Sequence, residues 1–256
     1  MTAVVGGAGS GLGAAIAHEL AGRGHDLLLW ARNRDRLDLV AADLRAKHGI
    51  TVHTLSADAS LPDAAATVAD AAPHTLGHVD VCVLNAGGPP PVPADRTDAD
   101  GWRTALQLLT VTPIDLATRL LPGMRQRGNG RIIAVLSSGV REPLPDLAYS
   151  NGGRAALTAW LKTVARLVAA DGVTVNGVVP GRIDTERVAA LDAARAQRTG
   201  QDVAEVRAAA MAEIPTGRYG RPEEFASVVG FLSSPEASYV TASLLSVDGG
   251  LMRSLT

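Results

Sequence analysis

A run of glycines near the beginning of the chain has the spacing of a phosphate-binding turn. The run, Gly6 to Gly13, lies between a short apolar stretch and a stretch of helical period. Glycine lets the backbone bend sharply and approach a diphosphate, while the following helix N-terminus offers free N–H groups and the positive end of a dipole. A strand-to-helix turn without a ligand also favours glycine, so it is the position after the first strand that indicates a dinucleotide site. The residues expected to contact the diphosphate are Gly7, Gly9, Ser10, Gly11, Leu12 and Gly13.

The second apolar stretch ends on arginine instead of an acidic residue. Leu28-Leu29-Trp30-Ala31 continues with Arg32 and Asn33, and Arg34 and Arg36 follow. A site for NAD usually offers Asp or Glu here to the ribose 2′-hydroxyl, whereas arginine suits the 2′-phosphate of NADP. The sequence therefore favours NADP(H) over NAD(H), with Arg32 as the contact. Solvation of the next helix by these arginines is the alternative explanation.

The composition argues against several classes of partner. The chain has 256 residues, 46% of them hydrophobic, and a net charge of −2. A nearly neutral chain lacks the basic surface that binds nucleic acid or an anionic membrane, and no run of about 18 apolar residues is present. The single Cys82 excludes an internal disulfide, the histidines are scattered without metal-ligand spacing, and no signal-peptide pattern opens the chain. We therefore expect a cytoplasmic protein with no metal, nucleic-acid or membrane partner.

Short apolar runs alternate with longer stretches of helical period along the whole chain. This order predicts an α/β protein: a single Rossmann-fold domain over residues 1–256, with a doubly wound parallel sheet of about seven strands and helices on both faces. The predicted strands are Ala3–Val5, Asp26–Ala31, Thr51–Ser56, Val79–Leu84, Gly130–Leu136, Val173–Val179 and Leu244–Val247. The predicted helices are Gly11–Arg23, Arg34–His48, Pro62–Leu76, Asp98–Arg127, Ser150–Ala170 and Pro222–Ser233. Pro113 is expected to kink or divide the fourth helix.

Residues 182–220 form an Ala- and Arg-rich segment of helical pattern that follows the sixth strand. The segment is long enough to be a substrate lid over the carboxyl edge of the sheet. A plain solvated helix explains the pattern equally well. Its arginines would favour an anionic or carrier-bound substrate, although solvated surface charge accounts for them too.

Five ordered elements resemble signatures of the short-chain dehydrogenase/reductase superfamily. They are the glycine run, Asp58 after the third strand, Asn85-Ala86-Gly87 after the fourth, Pro180–Thr185 after the sixth, and the pair Gly217–Glu224 and Val247–Gly250. The resemblance covers nearly the whole chain. Within the superfamily, the chain looks most similar to 3-oxoacyl-[acyl-carrier-protein] reductase-like proteins with an altered active site.

The resemblance implies roles for residues outside the glycine run. By it, Asp58 would hold the adenine amino group, and the Ile183 backbone and the Thr185 hydroxyl would hold the nicotinamide carboxamide. The other cofactor-binding residues that it implies are Asn85, Ala86, Gly87, Arg154, Pro180 and Gly181. It also implies a homodimer or homotetramer formed through Asp98–Arg127 and Ser150–Ala170.

The superfamily uses an Asn, a Ser, a Tyr and a Lys for catalysis, and the resemblance is incomplete at these positions. Counting without gaps places Ser137 at the catalytic serine, with Ser138 directly behind it, and Leu109 at the asparagine. The same count places Ser150 at the tyrosine and Arg154 at the lysine. Tyr149 lies one residue early, which on a helix means about 100° of rotation. If the helix began only after Asn151, a loop would still present Tyr149 to the substrate.

These replacements interrupt the usual proton relay, because arginine does not release its proton in proteins and a serine hydroxyl is a poor acid. The first hypothesis is an NADP(H)-dependent oxidoreductase that interconverts a carbonyl and a secondary alcohol, with Tyr149 or a bound water as proton donor. The second is a lyase, isomerase or cyclase on the same fold, using Ser137, Ser138, Tyr149 or Arg154. The third is an inactive cofactor-binding subunit that pairs with an active relative.

Overall fold

The computed structural model describes residues 1–254, and within them seven parallel strands form one sheet. The strands are β1 (Thr2–Gly6), β2 (Asp26–Ala31), β3 (Val52–Ser56), β4 (Val81–Leu84), β5 (Gly130–Val135), β6 (Val173–Pro180) and β7 (Leu244–Val247). The helices are α1 (Gly11–Gly22), α2 (Arg34–His48), α3 (Ala64–Leu76), α4 (Ala99–Leu106), α5 (Thr112–Arg127), α6 (Ala148–Val168), α7 (Glu186–Thr199), α8 (Val203–Ala212) and α9 (Pro222–Ser233). The predicted doubly wound α/β fold is confirmed.

The strand order is β3-β2-β1-β4-β5-β6-β7, so the chain reverses direction across the sheet between β1 and β4. In such a sheet the loops that leave neighbouring strands at this point diverge and open a crevice at the carboxyl edge. The loops after β1 and β4 carry the glycine run and Asn85-Ala86-Gly87. The topology therefore brings two of the predicted motifs together.

Two hydrophobic layers enclose the sheet. On one face Ile16 and Leu20 of α1 pack with Leu37 of α2 and Phe225 of α9. On the other face α3, α5 and α6 supply the buried layer, which includes Leu116 and several other apolar side chains. Because both faces are covered, β4 and β5 are buried along their whole length, which explains the uninterrupted apolar sequence of β4.

The predicted helix Asp98–Arg127 is divided into α4, a π-helical turn at Gln107–Val111, and α5. Pro113 occupies the first turn of α5, where a missing N–H costs little, and the preceding turn widens to accommodate it. The prediction that Pro113 divides this helix is confirmed. Other boundaries shift by one or two residues; the shift that bears on the site is at α6, which begins at Ala148 instead of Ser150.

The segment 182–220 folds into two helices, α7 and α8, held by a small buried ionic cluster. Asp192 on α7 is 2% exposed and accepts hydrogen bonds from Arg182 at 2.6 Å and from the Tyr219 hydroxyl at 2.9 Å. Arg207 on α8 pairs with both oxygens of Asp184 and lies over the Tyr219 ring at 4.5 Å. These contacts fix the two helices to the polypeptide that leaves β6.

The described part of the chain contains neither a membrane-spanning helix nor a cluster of metal ligands. None of its helices is both long and apolar enough to cross a membrane. Nor do any three His, Cys, Asp or Glu side chains within residues 1–254 come together in a way that would hold a metal ion.

Candidate active site

The glycine turn after β1 has a backbone that requires glycine at several positions. Gly7 and Gly11 have φ angles of +60° and +54°, a region that other residues rarely adopt. A Cβ at Gly13 would collide with the carbonyl oxygen of Gly7, so the first turn of α1 lies directly against the loop. Ser10 is the N-cap residue of α1, and its side chain makes no capping hydrogen bond within the described residues. The N–H groups at this helix N-terminus therefore remain free for an anion.

The turn after β4 is tied to the glycine turn by a side-chain hydrogen bond. Nδ2 of Asn85 donates to the carbonyl oxygen of Gly6 at 3.0 Å. A Cβ at Gly7 would lie 2.7 Å from the same Nδ2. The two turns thus share one surface at the reversal point of the sheet, with Ala86 and Gly87 next to Asn85.

Arg32 and Asp58 lie together at the ends of β2 and β3, where they line a cavity of about 360 Å³. The Asp58 carboxylate accepts hydrogen bonds from the backbone and the hydroxyl of Ser60, at 2.9 and 2.8 Å. Burial alone would raise the pKa of Asp58, but the hydrogen bonds from Ser60 and the charge of Arg32 hold it below its usual value. Asp58 is therefore an ionised acceptor facing this cavity at neutral pH.

Of the three arginines of this region, two have ion-pair partners. Arg34 pairs with Asp38 at 3.6 Å, and Arg36 pairs with Glu186 at 2.8 Å. In the described part of the chain Arg32 takes part in no ion pair. It is the guanidinium that remains free for an anionic group at the β2 end.

The segment Pro180–Thr185 leaves β6 and reaches the glycine turn from the other side. A Cβ at Gly181 would lie 2.6 Å from the Cα of Asp248, which explains the close passage of the backbone here. Ile183 is buried, and Thr185 is the N-cap residue of α7, with its hydroxyl accepting from the Val188 N–H at 3.4 Å. The Thr185 methyl lies 3.7 Å from the position of a Cβ at Gly11. The structure thus brings Gly11 and Thr185 into one site.

This carboxyl edge fits a dinucleotide along its length. The glycine turn offers free N–H groups for a diphosphate, and the cavity beside Arg32 and Asp58 is large enough for a nucleoside. Thr185 and the Asn85 turn flank the opposite end of the same groove. The residues present therefore match the group that the sequence predicted.

The serine pair follows β5. The Ser137 hydroxyl accepts a hydrogen bond from the N–H of Gly139 at 3.2 Å and begins a short 3-10 turn, Ser138–Val140. The Ser138 carbonyl accepts from the N–H groups of Arg141 and Glu142, which closes the turn. Ser137 is thus fixed at the strand end, whereas Ser138 has a structural part in the turn.

Tyr149 points away from the serine pair. It lies in the first turn of α6 and is 5% exposed. Its hydroxyl accepts a hydrogen bond from the Asp98 N–H at 2.9 Å, and its ring packs edge-on against Trp102 with centroids 5.0 Å apart. The alternative in which α6 begins after Asn151 is not what the structure shows, because the helix already includes Tyr149. Its hydroxyl is therefore occupied by a hydrogen bond at the N-terminus of α4.

Arg154 lies one helical turn after Ser150 and lines a cavity of about 20 Å³ together with Asn85, Ala86 and Leu109. Its Nε is buried and has no hydrogen-bond partner in residues 1–254. Burial, and the nearby charge of Arg187, lower the pKa of Arg154 to about 10, so the guanidinium stays protonated at neutral pH. Ser150 is 6% exposed, and Leu109, which lines the same cavity as Arg154, is 2% exposed. Leu109 offers no polar atom to a water molecule.

Sequence reasoning treated Arg187 only as one of several lid arginines. In the structure, its guanidinium reaches the turn after β4 and donates to the Pro89 carbonyl oxygen at 2.7 Å. A Cβ at Gly88 would lie 2.9 Å from its Nη2. The available signal was its position two residues after Thr185, on the first turn of α7, where a long side chain can reach back over the sheet edge.

Comparison with known proteins identifies the family. The family model described as enoyl-(acyl carrier protein) reductase matches residues 7–252. The chain is 33% identical over 251 residues to the 3-oxoacyl-[acyl-carrier-protein] reductase FabG of Vibrio cholerae, covering 97% of this chain and 96% of the relative. It is 32% identical over 262 residues to the NADPH-dependent reductase BacG of Bacillus subtilis, covering 99% and 98%.

Solved structures agree with this assignment. YwfH, an NADPH-dependent reductase involved in bacilysin biosynthesis, matches with a TM-score of 0.94 and 31% identity over 99% of both chains. L-sorbose reductase from Gluconobacter frateurii, solved with NADPH and L-sorbose, matches with a TM-score of 0.94 and 32% identity over 99% and 97%. As its motifs predicted, the chain belongs to the short-chain dehydrogenase/reductase superfamily of oxidoreductases.

Proposed function

We propose that the chain is an NADP(H)-dependent oxidoreductase that interconverts a carbonyl and a secondary alcohol. The observation that carries the proposal is the groove from Arg32 to Thr185, in which the glycine turn, Asn85 and Asp58 are all in place. The NADPH-dependent relatives support the choice of NADP(H), as does the free guanidinium of Arg32. The presence of all these features in one groove is what we expect of a protein that binds the cofactor.

The residues beside the nicotinamide end would divide the chemistry among them. Bound NADP(H) supplies or accepts the hydride. The Ser137 hydroxyl, at the end of β5, would hold the substrate oxygen, and Arg154 would hold the nicotinamide ribose and place positive charge near the oxygen as it gains electron density. Ser138 supplies its backbone carbonyl to the turn and would contribute to the shape of the site.

The proton donor would be a bound water, with Ser150 beside it. Tyr149 was the other candidate from the sequence, but its hydroxyl is engaged by the backbone of Asp98. Ser150 cannot replace a phenol as an acid, since an aliphatic hydroxyl is far less acidic. Arg154 stabilises the anionic oxygen without giving up its own proton.

We also propose that residues 182–220 act as a substrate lid. Three contacts join α7 to three separate parts of the chain, the first turn of α2, the turn after β4 and the loop before α6: Glu186 to Arg36 at 2.8 Å, Arg187 to the Pro89 carbonyl at 2.7 Å, and Arg198 to Asp146 at 2.7 Å. Tethers from one helix to three separate parts of the chain support the lid over a plain solvated helix.

A second candidate function is a non-redox reaction, a lyase, isomerase or cyclase step, on the same groove. The position of the Tyr149 hydroxyl on Asp98 favours it, because a hydride transfer to a carbonyl is completed by a proton donor that this chain has altered. Arg154 and Ser137 suit an enolisable or anionic substrate equally well.

Calorimetric titration with NADPH and NADH, followed by a panel of ketones monitored at the NADPH absorbance band, tests the proposal. We expect NADPH to bind at least about tenfold more tightly than NADH and to be oxidised by some of the ketones. Product formed with no change in NADPH absorbance would select the non-redox function. NADPH binding without conversion of any substrate would select the inactive subunit, and failure of both coenzymes to bind would refute the assignment.

Exposed apolar side chains bear on the assembly of the protein. We propose a cytoplasmic homodimer or homotetramer formed through α4, α5 and α6. Leu106 on α4, Val111 on the π-helical turn before α5, and Leu167 on α6 are 37%, 49% and 71% exposed, and a copy of the chain would cover them. Light scattering on the purified protein would find a monomer if this proposal is wrong.

A further inference from the structure

Two arginines approach the turn after β4 from different elements. Arg154, on α6, lines the small cavity next to Asn85 and Ala86. Arg187, on the first turn of α7, donates to the Pro89 carbonyl at 2.7 Å and lies against Gly88. The turn formed by residues 85–89 is therefore flanked by two guanidinium groups.

Nearby carboxylates do not neutralise these two arginines. Four acidic side chains around the lid pair with other arginines: Asp184 with Arg207, Glu186 with Arg36, Asp192 with Arg182, and Asp146 with Arg198. No ion pair of residues 1–254 includes Arg154 or Arg187. The Nε of Arg154 is moreover buried without a hydrogen-bond partner in this part of the chain.

The positive charges of Arg154 and Arg187 favour the binding of an anion. Burial lowers the pKa of Arg187 as well as that of Arg154, and the two charges repel each other. Arginine remains protonated at neutral pH in spite of such shifts, so the pair carries two positive charges. An anion between them would relieve the repulsion and provide an acceptor for the Arg154 Nε.

We propose that Arg154 and Arg187 together bind an oxyanion, a carboxylate or a phosphate group, beside the turn 85–89. Guanidinium groups bind both kinds of oxyanion through paired N–H donors. The inference rests on the proposed function, because the anion would belong to a participant in that reaction. The bound anion is either the carboxylate of a substrate such as a 2-oxo acid or the diphosphate of the dinucleotide.

Binding measurements with three probes test the proposal: NADPH, oxamate as a carboxylate, and inorganic phosphate. Calorimetry and thermal stabilisation are measured on the wild-type chain and on Arg187→Gln, with and without NADPH. Arg195→Gln, on the same helix α7 and outside every ion pair of the described residues, is the matched control. Circular dichroism verifies that each variant is folded.

A substrate carboxylate predicts that oxamate binds the NADPH-loaded wild type and that Arg187→Gln weakens this binding about tenfold or more. A diphosphate predicts instead that Arg187→Gln weakens NADPH about tenfold, that phosphate stabilises only the NADPH-free protein, and that oxamate has no effect on the loaded one. In both cases Arg187→Lys retains part of the affinity and Arg195→Gln retains all of it.

The proposal is overturned if Arg187→Gln binds NADPH, oxamate and phosphate as tightly as the wild type. It is also overturned if oxamate and phosphate fail to bind the wild type while NADPH binding is insensitive to Arg187. Failure of the proposed function would look different. Ketones would not be reduced, yet phosphate or oxamate would still bind the free protein and depend on Arg187.

Discussion

The two ends of the carboxyl edge differ in how closely they follow the superfamily. Around β1 and β4 the glycine turn, Asn85 and the Arg32 cavity line the groove that we propose binds the dinucleotide. Around β5 and α6, the gap-free count places Leu109, Ser150 and Arg154 at the positions of asparagine, tyrosine and lysine. The difference teaches that holding the cofactor and moving the proton depend on separate residues. Either can therefore change while the other is kept.

Replacing the substrate-oxygen donor should have the largest effect at the β5 end. Ser137→Ala removes a hydroxyl that would stabilise charge on the substrate oxygen, and kcat is expected to fall about 100- to 1,000-fold. NADPH affinity should stay unchanged, since the hydroxyl is remote from the glycine turn. Steady-state kinetics and calorimetry measure the two quantities.

Ser138→Ala is the matched control, with kcat within about threefold of wild type. An equal loss in both variants would mean that the gap-free count assigns the wrong serine.

At the glycine-turn end of the groove, Gly13→Ala should weaken binding of the NADPH diphosphate. The added Cβ collides with the Gly7 carbonyl, and displacing the loop at a typical overpacking cost corresponds to about 100-fold weaker NADPH binding. Gly22→Ala, on the same helix, adds a Cβ that meets only His48 at 3.7 Å and should bind NADPH normally. Calorimetric titration gives both affinities, and tight binding by Gly13→Ala would show that the diphosphate lies elsewhere.

Arg32 should decide between the two coenzymes. Arg32→Ala removes a charged donor from the 2′-phosphate, so NADPH binding should weaken about 10- to 100-fold while NADH binding is retained. Arg34→Ala disrupts only the exposed pair with Asp38 and should leave the preference intact. If Arg32→Ala leaves the preference for NADPH over NADH unchanged, these arginines only solvate the next helix.

The smallest effect is expected at Tyr149. Tyr149→Phe leaves the Asp98 N–H without its acceptor, which should cost about 1 kcal/mol and lower Tm by about 2–4 °C. The value of kcat should change by less than about twofold, since this hydroxyl does not reach the substrate. Thermal unfolding and steady-state kinetics provide the readouts. A fall in kcat by about 100-fold or more would restore Tyr149 as the proton donor.

Much of the fold was readable from the sequence because several strands are continuous apolar runs and the turns carry glycine. The glycine turn follows from motif and position, whereas the role of Asp58 follows from the resemblance to the superfamily. The orientation of Tyr149 did not, because it depends on a helix start two residues earlier than predicted.

Partners brought together by the fold were also beyond the sequence. The Arg36–Glu186 pair joins residues 150 positions apart, and nothing in the order of residues indicates it. The reach of Arg187 to Pro89 depends likewise on how α7 leaves Thr185. Such contacts decide which arginines remain free.

A crystal structure with bound NADP⁺ tests the central claim most directly. We predict the diphosphate on the N–H groups at Gly11–Gly13, the 2′-phosphate on Arg32, and the Tyr149 hydroxyl still on the backbone of Asp98. A Tyr149 hydroxyl within hydrogen-bond reach of the nicotinamide C4 region, or a diphosphate away from the glycine turn, would contradict the account.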